Sequence, residues 1–192
     1  LPDFDPNTPN NISNDAAFNR VTLGVYEMGS TFKLFTAAMA LDTGTVTMKS
    51  GYDASHSIRA ARFEISDYHA KNRWLSVPEI ILHSSNIGAA KMAIDVGTRG
   101  QQKYLRRLGL LDPAELELPE IGKPLVPSPW RPINTMTISY GYGIAVSSVQ
   151  VANGISSLVN GGIHRPATLM KVSNSASLGR RVLSDKTSLQ MR

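Results

Sequence analysis

The hydrophobic positions fall into blocks with mostly helical spacing. After Gly29-Ser30-Thr31, the run from Phe32 to Leu41 places Phe32, Phe35, Ala38, Met39 and Leu41 on one side of a helix that stops at Gly44. Ser76-Val77-Pro78-Glu79 combines a capping serine, a proline in the first turn and a glutamate three residues later, which predicts a helix start leading into Ile80-Ile81-Leu82-His83. A second helical pattern follows Asn86 through Ile87, Ala90 and Ile94 to Gly97. Another opens at Thr98 and runs through Tyr104, Leu105 and Leu108 to Gly109. Ser147-Ser148-Val149-Gln150 is a second capping box, opening a helix through Ala152, Ile155 and Val159 to Gly161-Gly162. Ser184 caps a last helix that Arg192 cuts off in mid-pattern.

Between these blocks the pattern changes. Residues 1 to 20 are rich in Pro, Asn and Asp, which is turn chemistry; Asp3 and Asp5 read there as turn formers rather than metal ligands. From Thr45 to Asp67, Ile58, Phe63, Ile65 and Tyr68 alternate with polar residues, predicting a small hairpin. Residues 110 to 134 form a long proline-rich connection of the kind that makes binding loops or lids. A short helix is expected over Thr135 to Tyr142, ending in Tyr140-Gly141-Tyr142-Gly143, and an extended segment over His164 to Val172. The inventory is an α+β domain, mostly helical with few strands, and no linker or repeat divides it.

Composition narrows the chemistry. The 192 residues contain no cysteine, which removes disulfides, thiolate zinc sites and cysteine nucleophiles together. A net charge of +5 invites a nucleic-acid reading. Its densest basic group (Arg99, Lys103, Arg106, Arg107) lies on one predicted helix without interleaved stacking aromatics, so a solvated face is expected instead and nucleic acid is set aside. No nucleotide-binding or metal-binding motif occurs, and no cofactor is implied. His56, His69 and His164 lack a recognisable partner in sequence and read as surface or turn residues, and no nucleophile elbow supports a Ser-His-Asp hydrolase.

What remains is Ser30-Thr31-Phe32-Lys33. Positions i and i+3 of a helix share a face, so Ser30 and Lys33 can touch. A lysine beside a serine is one way to activate a hydroxyl nucleophile, and a helix N-terminus disfavours the ammonium.

The order Glu27-Met28-Gly29-Ser30-Thr31-Phe32-Lys33, then Ser84-Ser85-Asn86, then Tyr140-Gly141-Tyr142-Gly143, with Leu1-Pro2-Asp3-Phe4-Asp5-Pro6-Asn7 at the start, resembles the transpeptidase domain of class B penicillin-binding proteins, most of all the division-specific septal type. The resemblance covers essentially the whole chain. It implies peptidoglycan D,D-transpeptidation: Ser30 attacks the carbonyl between two terminal D-alanines of a stem peptide, Lys33 takes its proton, and Ser84 relays a proton to the leaving amine. Asn86 orients Lys33 and binds substrate, and the Ser30 backbone N–H supplies an oxyanion donor. β-Lactam antibiotics acylate the same serine. It further implies division or elongation membrane proteins as partners and a place at the periplasmic face of the inner membrane, with an anchor upstream of Leu1.

There are two departures from the family's pattern. Met28 stands where proline is frequent, and Lys-Thr-Gly, the family's third motif, does not occur. The expectation is therefore the helical part of the β-lactamase/transpeptidase-like fold, residues 1–192 forming one partial domain with the central antiparallel sheet largely missing, and little acylation by this chain alone. The competing readings are a serine β-lactamase or β-lactam sensor and a non-catalytic scaffolding domain; the oxacillin-hydrolysing type carries an apolar residue where Asn86 stands, and a class A type would need Glu115, Glu117 or Glu120 folded over the cleft as the deacylating base.

Overall fold

In the computed structural model, which describes residues 4, 5, 7, 8, 12–60, 63–172 and 179–192, the helix opened by the Ser30 stretch is the axis of the molecule. A 3-10 turn at Gly29–Thr31 runs into α2, Phe32–Asp42, preceded in the chain by the single turn α1, Asn14–Ala17. The sequence pattern predicts one buried stripe on α2. The structure instead buries it on nearly every side, Phe32, Lys33 and Phe35 to Leu41 all having little exposure. Alanines at 37, 38 and 40 allow this, because small side chains let neighbours approach from both flanks.

Two cores meet on that helix. In one, Phe32, Phe35, Ala38 and Met39 pack with Tyr104 and Leu105 of α5 (Thr98–Arg107), with Leu108 just after it, with Ile138 of α6 (Pro132–Ile138) and with Leu158 of α7 (Ser148–Val159). In the other, Ala37, Ala40 and Leu41 pack with Val77 and Ile80 of α3 (Val77–Leu82) and with Ile87, Ala89 and Met92 of α4 (Asn86–Val96). Gly88 lets α4 close on α3, since a Cβ there would stand 2.5 Å from Ile80 Cγ1. The last helix, α8, is Asp185–Gln190, capped by Ser184.

Strands are short and occur in pairs. Antiparallel partners are β1 (Val25–Tyr26) with β6 (Val146–Ser147), β2 (Gly51–Asp53) with β5 (Trp74–Ser76), β3 (Ile58–Ala60) with β4 (Phe63–Ile65), and β7 (Ile163–His164) with β8 (Arg180–Arg181). No larger sheet forms among the described residues, in keeping with the mostly helical α+β expectation.

Both capping boxes form. Glu79 N bonds Ser76 Oγ while the Glu79 carboxylate accepts from Ser76 N, and Gln150 and Ser147 do the same for α7. Helix α6 differs from the sequence reading by starting at Pro132 rather than Thr135. Proline suits a first turn, and the Asn134 side chain accepts from Arg131 N at 2.8 Å. Residues 140–143 are consequently left outside the helix, with Gly141 and Gly143 at φ of 85° and 80°. His164 is also displaced from expectation. It is buried on β7, 3.3 Å from Ser157 Oγ, and burial together with Arg180 lowers its pKa.

Candidate active site

Strand β1, held by β6, aims the chain into Glu27, Met28 and Gly29. Gly29 turns at φ 55°, a left-handed conformation in which a residue with a Cβ would be strained. Ser30 therefore leaves its hydroxyl exposed at the mouth of α2 while Lys33, three residues on, is 3% exposed. The two meet as helical spacing requires: Lys33 Nζ donates to Ser30 Oγ at 2.8 Å.

The second segment comes from the break between α3 and α4. Ser84 has φ 54°, in the region that non-glycine residues seldom occupy and that costs about 1–3 kcal/mol. The conformation is held from both sides. Ser84 N and Ser85 N donate to Ile81 O and Ile80 O, closing α3, and Ser85 Oγ accepts from Gly88 N, capping α4. Its result is that both the Ser84 carbonyl and hydroxyl face Lys33, whose Nζ donates to them at 2.9 and 2.8 Å. Ser84 Oγ in turn donates to Ser30 Oγ at 2.9 Å.

Ser30, Lys33 and Ser84 thus form a closed triangle of hydrogen bonds. The ammonium has three donors and three acceptors, so it is satisfied although removed from water. Burial nevertheless pushes its pKa from 10.5 down to about 8, with the negative charge of Asp67 acting in the opposite sense. In the neutral amine one lone pair becomes available, and the Ser30 bond can reverse so that the hydroxyl proton passes to Nζ.

Asn86 lies in the same place but not in the expected role. Its Nδ2 donates to Ser66 O at 2.9 Å, and none of its hydrogen bonds is to Lys33. With the amide nitrogen engaged, Oδ1 is the atom left to accept from a substrate N–H. Lys33 is oriented by Ser84 instead.

A cavity of about 590 Å³ opens over these groups, lined by Gly29, Ser30, Ser66, Tyr68, His69, His83, Ser84, Asn86 and Tyr142. Its two rims are supplied by residues that sequence reasoning missed. Asp67 accepts from Ser85 Oγ and Ile87 N, fixing the 66–69 loop to the start of α4. Glu27 Oε1 accepts from Gly143 N at 2.7 Å, fixing the turn that carries Tyr142. Gly141 lies so close to the nucleophile turn that a Cβ would stand 2.1 Å from Gly29 O. Glu27 adjoins the Ser30 motif and Asp67 precedes the Ser84 motif by 17 residues, but neither position signals its partner.

The remaining candidates lie elsewhere. Glu117 is held by Thr168 Oγ1 and Leu169 N, Glu115 borders a separate cavity beside His164, and Glu120 does not line the Ser30 cavity. None of the three is placed to deacylate an ester at Ser30, which removes the support for the β-lactamase reading. Asp5 accepts from Asn7 N and Nδ2 in a local turn, while Asp3 lies outside the described residues.

A buried lysine joined to an exposed serine and completed by a second serine from a strained turn is the arrangement of a serine acyl-transfer centre of the Ser-x-x-Lys type. The family model of the penicillin binding protein transpeptidase domain matches residues 1–192, and the chain belongs to that family. It is 41% identical over 99% of its length to "Probable peptidoglycan D,D-transpeptidase FtsI" of Caulobacter vibrioides, covering 32% of that protein. To Escherichia coli "Peptidoglycan D,D-transpeptidase FtsI" it is 30% identical over 89% of its length and 29% of the relative's. Among solved structures, the apo TP domain of Burkholderia pseudomallei penicillin-binding protein 3 superposes with a TM-score of 0.83 at 32% identity, over 90% of this chain and 53% of that one. The chain spans about a third of the length of these two curated relatives.

Proposed function

We propose that this chain carries the acylation centre of a peptidoglycan D,D-transpeptidase. The single observation that supports the reading best is the Ser30–Lys33–Ser84 triangle, all three edges of which are 2.8 or 2.9 Å.

Neutral Lys33 takes the Ser30 proton as Oγ bonds to the carbonyl carbon of the penultimate D-alanine. The developing oxyanion is met by the Ser30 backbone N–H. Ser84 Oγ, bonded to both partners, passes the proton from Lys33 to the amide nitrogen as the C–N bond breaks and the terminal D-alanine leaves. Asn86 Oδ1 accepts from the substrate backbone. The amine of a second stem peptide then attacks the ester, its proton returns to Ser30 through the same triangle, and the cross-link forms. A β-lactam acylates Ser30 with no fragment released, and without a glutamate over the cleft the ester persists.

Lys-Thr-Gly is absent from residues 1–192, so we propose that a strand outside this chain completes the cleft and a second oxyanion donor. The parent enzyme acts at the periplasmic face of the inner membrane with division or elongation membrane proteins. No helix among the described residues is long and apolar enough to cross a membrane.

The test uses the intact protein carrying this chain, a D-alanyl thioester donor and a D-amino acid acceptor. Formation of the transfer product, lost in Ser30→Ala, is the expected outcome; hydrolysis unaffected by acceptor would contradict transpeptidation. A fluorescent penicillin adds the companion prediction that residues 1–192 alone label far less than the intact protein.

A further inference from the structure

We infer that Asp67 is a positioning residue of the acylation centre, seating the Ser84–Asn86 turn from outside the cleft while adding a negative charge to the surroundings of Lys33. This rests on the reading of Ser30 and Lys33 as nucleophile and base.

The geometry is specific. Asp67 presents both carboxylate oxygens to the first turn of α4, Oδ2 accepting from Ser85 Oγ at 2.7 Å and Oδ1 from Ile87 N at 2.9 Å. Ser85 is the residue between Ser84 and Asn86, and its own Oγ also accepts from Gly88 N, so Asp67 holds the cap as well as the turn. The preceding carbonyl, Ser66 O, accepts from Asn86 Nδ2 at 2.9 Å. Three hydrogen bonds therefore tie two consecutive loop residues to the segment that carries Ser84 in its left-handed conformation. A carboxylate at a helix start also matches the helix dipole. Without Asp67 that conformation would lose its outer brace, and Tyr68 and His69, the next residues, would no longer be fixed as a wall of the cavity.

The charge matters separately from the brace. Burial favours the neutral amine of Lys33, and among the described residues Asp67 is the charge whose field raises its proton affinity again. The other ionisable groups lining the cavity are Tyr68, His69, His83 and Tyr142. Asp67 thereby holds the protonated form of Lys33 over a somewhat wider pH range than burial alone would allow.

Asp67→Asn removes the charge while keeping the shape and an acceptor for Ile87 N; its amide nitrogen then faces Ser85 Oγ, so the pH dependence, rather than the absolute rate, reads the charge apart from the brace. In the intact protein carrying this chain, the rate of acylation by benzylpenicillin is measured against pH for wild type and variant. The expected result is a profile displaced to lower pH, with the ratio of the rate at about pH 6.5 to that at about pH 9 raised roughly two- to threefold. A variant profile superimposable on wild type after scaling would overturn the inference, leaving Asp67 as a brace alone. Titration of Lys33 itself, followed by NMR in lysine-labelled protein, reads the same displacement without any acylation. An enzyme that never acylates Ser30 would thus defeat the transpeptidase reading, while an unmoved Lys33 titration would defeat this one.

Discussion

With its amine pushed from 10.5 to about 8, Lys33 is largely protonated at neutral pH and passes to the neutral form as pH rises through about 8. Acylation by Ser30 requires the neutral form, so its rate should climb with pH, reach half its limit near about 8 and level off roughly one unit higher; stopped-flow measurement of β-lactam acylation checks this. Lys33→Arg is the sharper test. Arginine keeps the positive charge but does not deprotonate in proteins, so a purely electrostatic role would survive the change. The expected outcome is a loss of about 10²-fold or more. His164 supplies a pH effect of a different kind. Its folded pKa lies below the ordinary histidine value of 6.5, so the unfolded chain binds the proton more readily and stability falls as pH drops through that value. Thermal melts of His164→Gln should depend less on pH below about 6.5 than those of the wild type.

The cleft is a junction of elements, and two close contacts hold them. Glu27 braces the 140–143 turn through Gly143 N, and Gly141 abuts Gly29. Glu27→Ala should slow acylation by about tenfold, with Glu27→Gln recovering most of the rate because it retains an acceptor. Larger losses are expected for Gly141→Ala, which drives a methyl into the backbone of the nucleophile turn. Ser76→Ala removes the box that starts α3, costing about 1 kcal/mol and lowering the melting temperature by roughly 2–4 °C.

These elements also show what the sequence makes legible. Capping boxes, glycine stops and the Ser30–Lys33 pair are interactions over three or four residues, and each can be read from spacing. Ser84 reaches Ser30 across 54 residues, and only family resemblance pointed to it. Glu27 and Gly143 are 116 residues apart, and the Asp67 bonds span 18 and 20, so no local pattern announces them. The role expected of Asn86 on Lys33 went astray for the same reason, since Ser66 O, 20 residues earlier, takes its amide. His164 was read as a surface or turn residue because a histidine carries no periodic signal of burial.

At the scale of the molecule, α2 is shared by two cores, so Lys33, the proposed base, is mounted on the most enclosed helix among the described residues, with Ser30 in the 3-10 turn that opens it. That mounting is what removes Lys33 from water and lowers its pKa, linking core packing directly to reactivity. Phe35 is fully buried between α2 and α7, with Gly154 against its ring. Phe35→Ala should cost about 3–5 kcal/mol in urea unfolding.

The most direct test of the account is mass spectrometry of the intact protein carrying this chain after exposure to benzylpenicillin, followed by peptide mapping. The account predicts one penicilloyl adduct on the peptide containing Ser30, stable over the digestion and absent from Ser30→Ala. An adduct on another residue, or one that persists in Ser30→Ala, would contradict it.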